Sequence, residues 1–210
     1  MKHLKTFVSA VLAGACIAWG GTMYLSMESR VLGALFFTVG IFIICTFGFH
    51  LFTGKVCYAF DCDRHYPLTL AIVWAGNFCG TWLVAQAERA TRFGIPLAEK
   101  AAVISAVKLN DTLLSIFILS IFCNIMIYVA VEGFRSNPHE VGKYLALFFG
   151  IMVFILSGFE HCVANMYYFS MAGVWGGRAL LYLLVMTLGN AVGGVLLPLL
   201  RGFIRRDSKA

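Results

Sequence analysis

The fold class that the sequence predicts is an all-α membrane protein of six transmembrane helices, arranged as two inverted three-helix repeats with helices two and five interrupted. Three observations point there. The 210 residues are 60% hydrophobic and 12% charged, against roughly 45–50% and about 25% in soluble domains. Six apolar runs have the length, about 20 residues, at which a helix crosses a bilayer. Two glycine-centred motifs recur in the two halves of the chain at nearly the same separation.

The runs are Phe7–Leu25, Val31–Thr53, Leu68–Ala87, Leu109–Val131, Tyr144–Phe169 and Ala179–Leu200. Six spans leave room for short loops only, so residues 1–210 read as a single transmembrane domain. Lys2 and Lys5 precede an apolar stretch too long for the core of a signal peptide, so the first span is expected to stay in the mature protein. Only residues 1–6 precede it, and gating by a long N-terminal helix is not expected.

The formal charge of +6 is a topology signal here and not a nucleic-acid footprint, because the basic residues sit in termini and short loops beside apolar runs. An even number of spans puts both termini on one side. That side carries Lys2, Lys5, Lys55, Arg64, Arg135, Lys143, Arg201, Arg205, Arg206 and Lys209; the other carries Arg30, Arg89, Arg92, Lys100, Lys108 and Arg178. The bias predicts cytoplasmic termini in a cytoplasmic (inner) membrane. The seven cysteines fall mostly inside apolar runs, where they act as small hydrophobes, and suggest no disulfide framework.

The repeat carries most of the information. Span two ends in Gly48-Phe49-His50-Leu51-Phe52-Thr53-Gly54 and span five in Gly158-Phe159-Glu160-His161-Cys162-Val163-Ala164-Asn165. Spans three and six carry Gly76-Asn77-Phe78-Cys79-Gly80 and Gly189-Asn190-Ala191-Val192-Gly193. From Gly48 to Gly158 is 110 positions and from Gly76 to Gly189 is 113. Each half, about 7–88 and about 107–200, holds three spans. An odd number sends the second half into the membrane from the opposite side, as in channels and transporters with a site near the midplane. The competing reading of the glycines is close helix packing alone.

His50, Thr53, Glu160, His161 and Asn165 place polar groups where lipid tolerates them poorly, a central charge costing at least about 2.5–3.5 kcal/mol. Gly48 and Gly158 permit helix breaks whose freed backbone lines a cavity. Two such breaks facing each other make a pore or a binding site.

At these residues the chain resembles the formate/nitrite transporter family of formate, nitrite and hydrosulfide channels. The matching stretches are Leu51-Phe52-Thr53-Gly54, Gly158-Phe159-Glu160-His161-Cys162-Val163-Ala164-Asn165-Met166, Cys123-Asn124-Ile125-Met126 and the two Gly-Asn-x-x-Gly segments. The resemblance implies an aquaporin-like fold, a homopentamer, and one pore within each protomer. It makes His161 the central pore residue, with Thr53 contacting it, Asn124 and Asn165 nearby, and Lys108 at the outer end of span four. It makes Phe37, Ile41, Leu51, Phe52 and Phe154 the apolar constrictions.

The expected substrates are small monovalent anions: formate, nitrite, hydrosulfide or short carboxylates, with protons as candidate co-substrates. A bare anion loses its hydration at an apolar constriction, whereas the neutral acid crosses readily. A lysine at the mouth raises local anion concentration, and an imidazole within donates a hydrogen bond or a proton. Positive half-helix N-termini add a fixed pull.

Blander readings stand beside these. A lone membrane histidine is as often a satisfied core residue. Glu160 reads as a structural acceptor or subunit contact, and His50 as vestibule or loop packing. Cys57, Cys62 and His65, with Asp61 and Asp63, are ligand types for zinc, but their spacing matches no strong metal signature, so no metal or cofactor is expected. The alternative from another class is a membrane-embedded redox or metal-binding enzyme using Cys and His. No dinucleotide fingerprint, P-loop or His-Glu-x-x-His supports it.

Overall fold

The computed structural model describes residues 1–60, 62 and 64–207, and among them every regular element is helical. The order is α1 (Lys2–Ser26), α2 (Arg30–Phe47), α3 (Phe52–Lys55) continued by a 3-10 turn (Val56–Tyr58), α4 (Tyr66–Arg89), α5 (Gly94–Leu109), α6 (Leu113–Ser136), α7 (Glu140–Leu156), α8 (Cys162–Ala172) and α9 (Gly177–Asp207). Helices α1, α2, α4, α6 and α9 are long and apolar enough to cross a membrane. The 17-residue α7 and 11-residue α8, separated by a break, are compatible with a sixth crossing made in two pieces.

Local sequence explains where these helices start and stop. Ser29 and Thr112 cap α2 and α6, their hydroxyls accepting from the Leu32 and Ser115 amides. At the other end of α2, and just past α7, Gly48 and Gly158 take φ of +70°, which a side chain disfavours. The chain then turns back enough for Phe49 and Phe159 to donate to the Ile44 and Phe154 carbonyls, each at 3.0 Å. The apolar patterns of spans two and five run through these breaks because Leu51 and Phe52 beyond the first, and Cys162 and Val163 beyond the second, are buried although the preceding helix has ended.

A broken helix at membrane depth leaves amides and carbonyls unanswered, and two asparagines answer them. Asn77 on α4 accepts from the Phe52 amide at 2.8 Å and donates to the carbonyls of His50 at 3.0 Å and Ala10 at 2.8 Å. Asn190 on α9 accepts from the Cys162 amide at 2.8 Å and donates to the carbonyls of Glu160 and Ser120, both at 2.8 Å. Phe52 and Cys162, His50 and Glu160, and Ala10 and Ser120 are each 110 positions apart. The clasp recurs in the two halves at one offset, which is compatible with a repeated three-helix unit.

The glycines around each asparagine bring it within reach. A Cβ at Gly80 would collide with the Val11 carbonyl oxygen of α1, and one at Gly193 with the Ile121 carbonyl oxygen of α6. Both readings of Gly-Asn-x-x-Gly therefore hold: the glycines pack and the asparagine binds the break. These glycines are used within the protomer, so they supply no argument for association between subunits.

The segment counted as a loop between spans three and four is in fact α5, which packs against α8 and has no counterpart in the first half. Lys108 belongs to its last turn and not to the end of span four. Helix α5 went unforeseen because it has only 16 residues and Glu99, Lys100 and Lys108 hold its hydropathy below that of a span. The two breaks also continue differently, as four helical residues and a 3-10 turn after the first and a full α8 after the second. Residues Cys162–Met171 of α8 are all buried, which makes it the central helix. Leu12, Trp19, Phe122, Leu188 and Leu196 face outward, as a lipid solvent demands.

The clasp predicts a symmetric loss. Asn77→Ala and Asn190→Ala each leave a buried amide and carbonyl unpaired, at about 1–3 kcal/mol per group. Each is expected to lower the midpoint of thermal unfolding in detergent by several degrees, with Asn→Asp, which keeps only the acceptor, falling between. Equal stability of wild type and Asn77→Ala would show that the clasp is not needed.

Candidate functional site

The second break delivers His161 to the N-cap of α8, where its Nδ1 accepts from the Ala164 amide at 3.0 Å. With Nδ1 occupied as an acceptor, the proton of the neutral ring sits on Nε2. Nε2 is 2.9 Å from Thr53 Oγ1, so Nε2–H donates to the threonine and leaves that hydroxyl with its own proton to give. Thr53 is held from behind. Its carbonyl accepts from Asn124 Nδ2 at 3.0 Å and from the Cys57 thiol at 3.2 Å. His161 and Thr53, 1% and 0% exposed, thus join the two breaks across the middle of the protein.

An aromatic wall flanks the ring. Phe154 stacks on His161 with centroids 5.7 Å apart, and Phe37 meets Phe154 edge-on at 6.0 Å. On one side lies a cavity of about 460 Å³ lined by Arg30, Lys108, Glu160, His161 and Asn165, among others. On the other lies a cavity of about 530 Å³ lined by Ile41, Leu51, Lys55, Tyr58 and Arg135, among others. No residue lines both. Phe37 and Phe154 face the first cavity, Ile41 and Leu51 the second, and the apolar layer between them separates two polar mouths.

Glu160 does more than an isolated acceptor would. Its Oε2 receives Lys108 Nζ and Asn165 Nδ2, each at 2.7 Å, while Asn165 Nδ2 also donates to the His161 carbonyl at 3.1 Å. Lys108, Glu160, Asn165 and His161 therefore form one connected wall. The lysine expected to be a free ammonium at the mouth is instead paired, with the two side chains 14% and 5% exposed.

Seven of the ten sequence-predicted pore and constriction residues line a cavity: His161, Asn165, Lys108, Phe37, Phe154, Ile41 and Leu51. Thr53, Asn124 and Phe52 line neither. Thr53 and Asn124 sit behind the ring, and Phe52 is buried with its amide held by Asn77. The expected pull from two half-helix N-termini is unequal. At α3 the helix is only four residues long, and at α8 the Cys162 and Ala164 amides are already taken. The Cys57 thiol turns inward to Thr53 and Cys62 is exposed, while Asp61 and Asp63 lie outside the described residues.

Sequence reasoning missed the clasping role of Asn77 and Asn190, although an asparagine inside each apolar run, in step with each break, was the available signal. It also counted Arg30, Lys55 and Arg135 as topology charges only, although all three line the mouths.

A sequence profile described as formate/nitrite transporter matches residues 1–202. Formate channel FocA of Haemophilus influenzae is 28% identical, the match covering 93% of this chain and 84% of that one. Nitrite transporter NirC of Escherichia coli is 25% identical over 91% of this chain and 80% of its own length. Among solved structures, a pentameric formate channel with formate bound superposes with a TM-score of 0.80, at 26% identity, covering 97% of this chain and 98% of that one.

The geometry at His161 predicts its tautomer. ¹⁵N spectra of histidine-labelled protein are expected to show one ring with an unprotonated Nδ1 and a protonated Nε2. His161→Ala is expected to lose about 0.5–2 kcal/mol with the α8 cap, and His161→Asn, whose amide oxygen caps equally well, to keep most of it. An Nδ1-protonated ring would overturn the assignment.

Proposed function

This chain belongs to the formate/nitrite transporter family, and on that premise we propose that it is a channel for small monovalent anions of the formate and nitrite kind, with one pore in each protomer of a homopentamer. The observation that carries the reading is the His161–Thr53 contact placed in the apolar layer between two basic cavities. Relatives named as formate channels and a nitrite transporter support the substrate class, and the pentameric formate channel supports the assembly. Both termini are taken as cytoplasmic, in a cytoplasmic (inner) membrane, from the distribution of lysine and arginine. Hydrosulfide and proton co-movement belong to the same reading as further substrates.

The mechanism follows from desolvation. An anion in either cavity keeps water and polar contacts, but in the layer of Phe37, Ile41, Leu51 and Phe154 it has neither. A bare charge at that depth costs at least about 2.5–3.5 kcal/mol even on the mildest scales. The Nε2–H of His161 donates to Thr53, whose hydroxyl keeps its own proton to give; an anion at this point takes that hydroxyl proton, or displaces Thr53 from the ring, with little other rearrangement. An anion hydrogen-bonded at this point has its basicity lowered and its hydration partly replaced. Because Nδ1 is committed to the α8 cap, the ring donates a hydrogen bond and stays neutral; a proton that converts the anion to its acid comes from water in the cavities.

Flux into proteoliposomes tests this directly. His161→Phe is expected to abolish formate and nitrite flux while leaving a folded oligomer of unchanged size. His161→Asn keeps a neutral donor and a cap, and is expected to retain partial flux that still rises as pH falls, since the acid form of the substrate grows with it. Wild-type flux in His161→Phe would remove the ring from the mechanism. A flat pH response in His161→Asn would give proton transfer back to it.

A further inference from the structure

The charges around the His161-side cavity do not act equally. The ammonium of Lys108 lies 2.7 Å from Glu160 Oε2, so at a distance the pair presents a dipole and little net field. Arg30, at the start of α2, lines the same cavity and is exposed. Its Nη2 donates to the Leu156 carbonyl at the end of α7, at 3.3 Å, which holds the guanidinium beside the second break and leaves most of its five donors unused. Among the described residues no carboxylate forms an ion pair with Arg30 or with Lys100.

A smaller cavity of about 260 Å³ continues from the first, sharing Tyr24, Arg30 and Ile104 with it and adding Lys100. Lys100, Ile104 and Lys108 are four residues apart along α5 and so occupy one face of it. An anion moving along that face meets Lys100, then Arg30, then the Lys108–Glu160 pair, and finally His161.

We propose that Arg30, preceded by Lys100, is the cation that gathers the anion ahead of His161, and that its planar fork favours bent two-oxygen anions over a single-atom anion such as hydrosulfide. This rests on the channel reading above and deepens it. A carboxylate or nitrite group offers two oxygens to two guanidinium N–H groups at once, whereas hydrosulfide offers one acceptor atom. Lys108 and Glu160 act as the fixed wall behind, and the unpaired charge on this face is Arg30 with Lys100.

The test compares wild type, Arg30→Gln, Arg30→Lys and Lys108→Gln in proteoliposomes, with formate and hydrosulfide as the anions, at low and high ionic strength. Arg30→Gln is expected to raise the half-saturating formate concentration about threefold to tenfold at low salt, the small end of what focused charge does for association. The difference is expected to shrink at high salt, as screening removes it. Arg30→Lys keeps the charge and is expected to restore the salt-sensitive part while losing formate preference over hydrosulfide. Thermal unfolding and oligomer size of each variant separate this from loss of the Leu156 contact. Arg30→Gln with wild-type half-saturation at low salt, or a shift seen with Lys108→Gln and not with Arg30→Gln, overturns the assignment. A wild type that passes neither anion overturns the channel reading beneath it, a result distinct from a conducting wild type whose Arg30 variants match it.

Discussion

Everything in this fold depends on answering the backbone where two membrane helices stop halfway. Hydrocarbon offers no hydrogen bonds, and an unpaired amide or carbonyl there costs several kcal/mol. Asn77 and Asn190 solve this with one side chain each, taking one amide and two carbonyls apiece. The glycines beside them exist so that α4 can approach α1, and α9 approach α6, closely enough for the amide to reach. Once the breaks are stable, their residues are free of helical register, and His161 can cap α8 while its ring reaches across to Thr53.

Much of this was legible because the constraint leaves marks in sequence. A membrane-length apolar run that contains glycine followed by polar residues announces a break, and Gly48 and Gly158 sit where the helices end. The near-constant separation of the motifs matches the recurrence of the asparagine clasp in the two halves. Apart from the Thr53–His161 contact, which the family resemblance supplied, what could not be read was set by three-dimensional neighbours. Lys108 looked like a mouth charge because its partner, Glu160, is 52 residues away in sequence, and the pairing needs α5, whose mixed composition resembles a loop. Thr53, Asn124 and Phe52, given to the pore by the family resemblance, line neither of the two cavities, because a motif match does not fix which way a side chain turns; the expected contact of Thr53 with His161 is nonetheless present.

Most polar groups at the centre are committed, although the Oδ1 atoms of Asn124 and Asn165 are buried without a partner among the described residues. The imidazole is used on both nitrogens, the Thr53 carbonyl takes two donors, and the Glu160 carboxylate holds an ammonium and an amide. Such a network resists rearrangement, because moving one member strands another in a medium that cannot compensate it. The rigidity suits a pore that works by presenting fixed donors more than one that works by changing shape.

The duplication has a consequence for direction. Counting by the same 110 positions, His161 corresponds to Leu51 and Thr53 to Val163, so the pair that meets at the centre takes one member from each half, at inequivalent places. The frame is shared by both halves and its chemistry is not, and the two faces of the membrane see different surfaces, a guanidinium and imidazole from one side, Lys55 and Leu51 from the other. For a passive pore, detailed balance forbids net flow between equal concentrations. It does not forbid unequal saturation, so a channel of this build fills more readily from one face than from the other, a rectification under steep gradients that needs no gate.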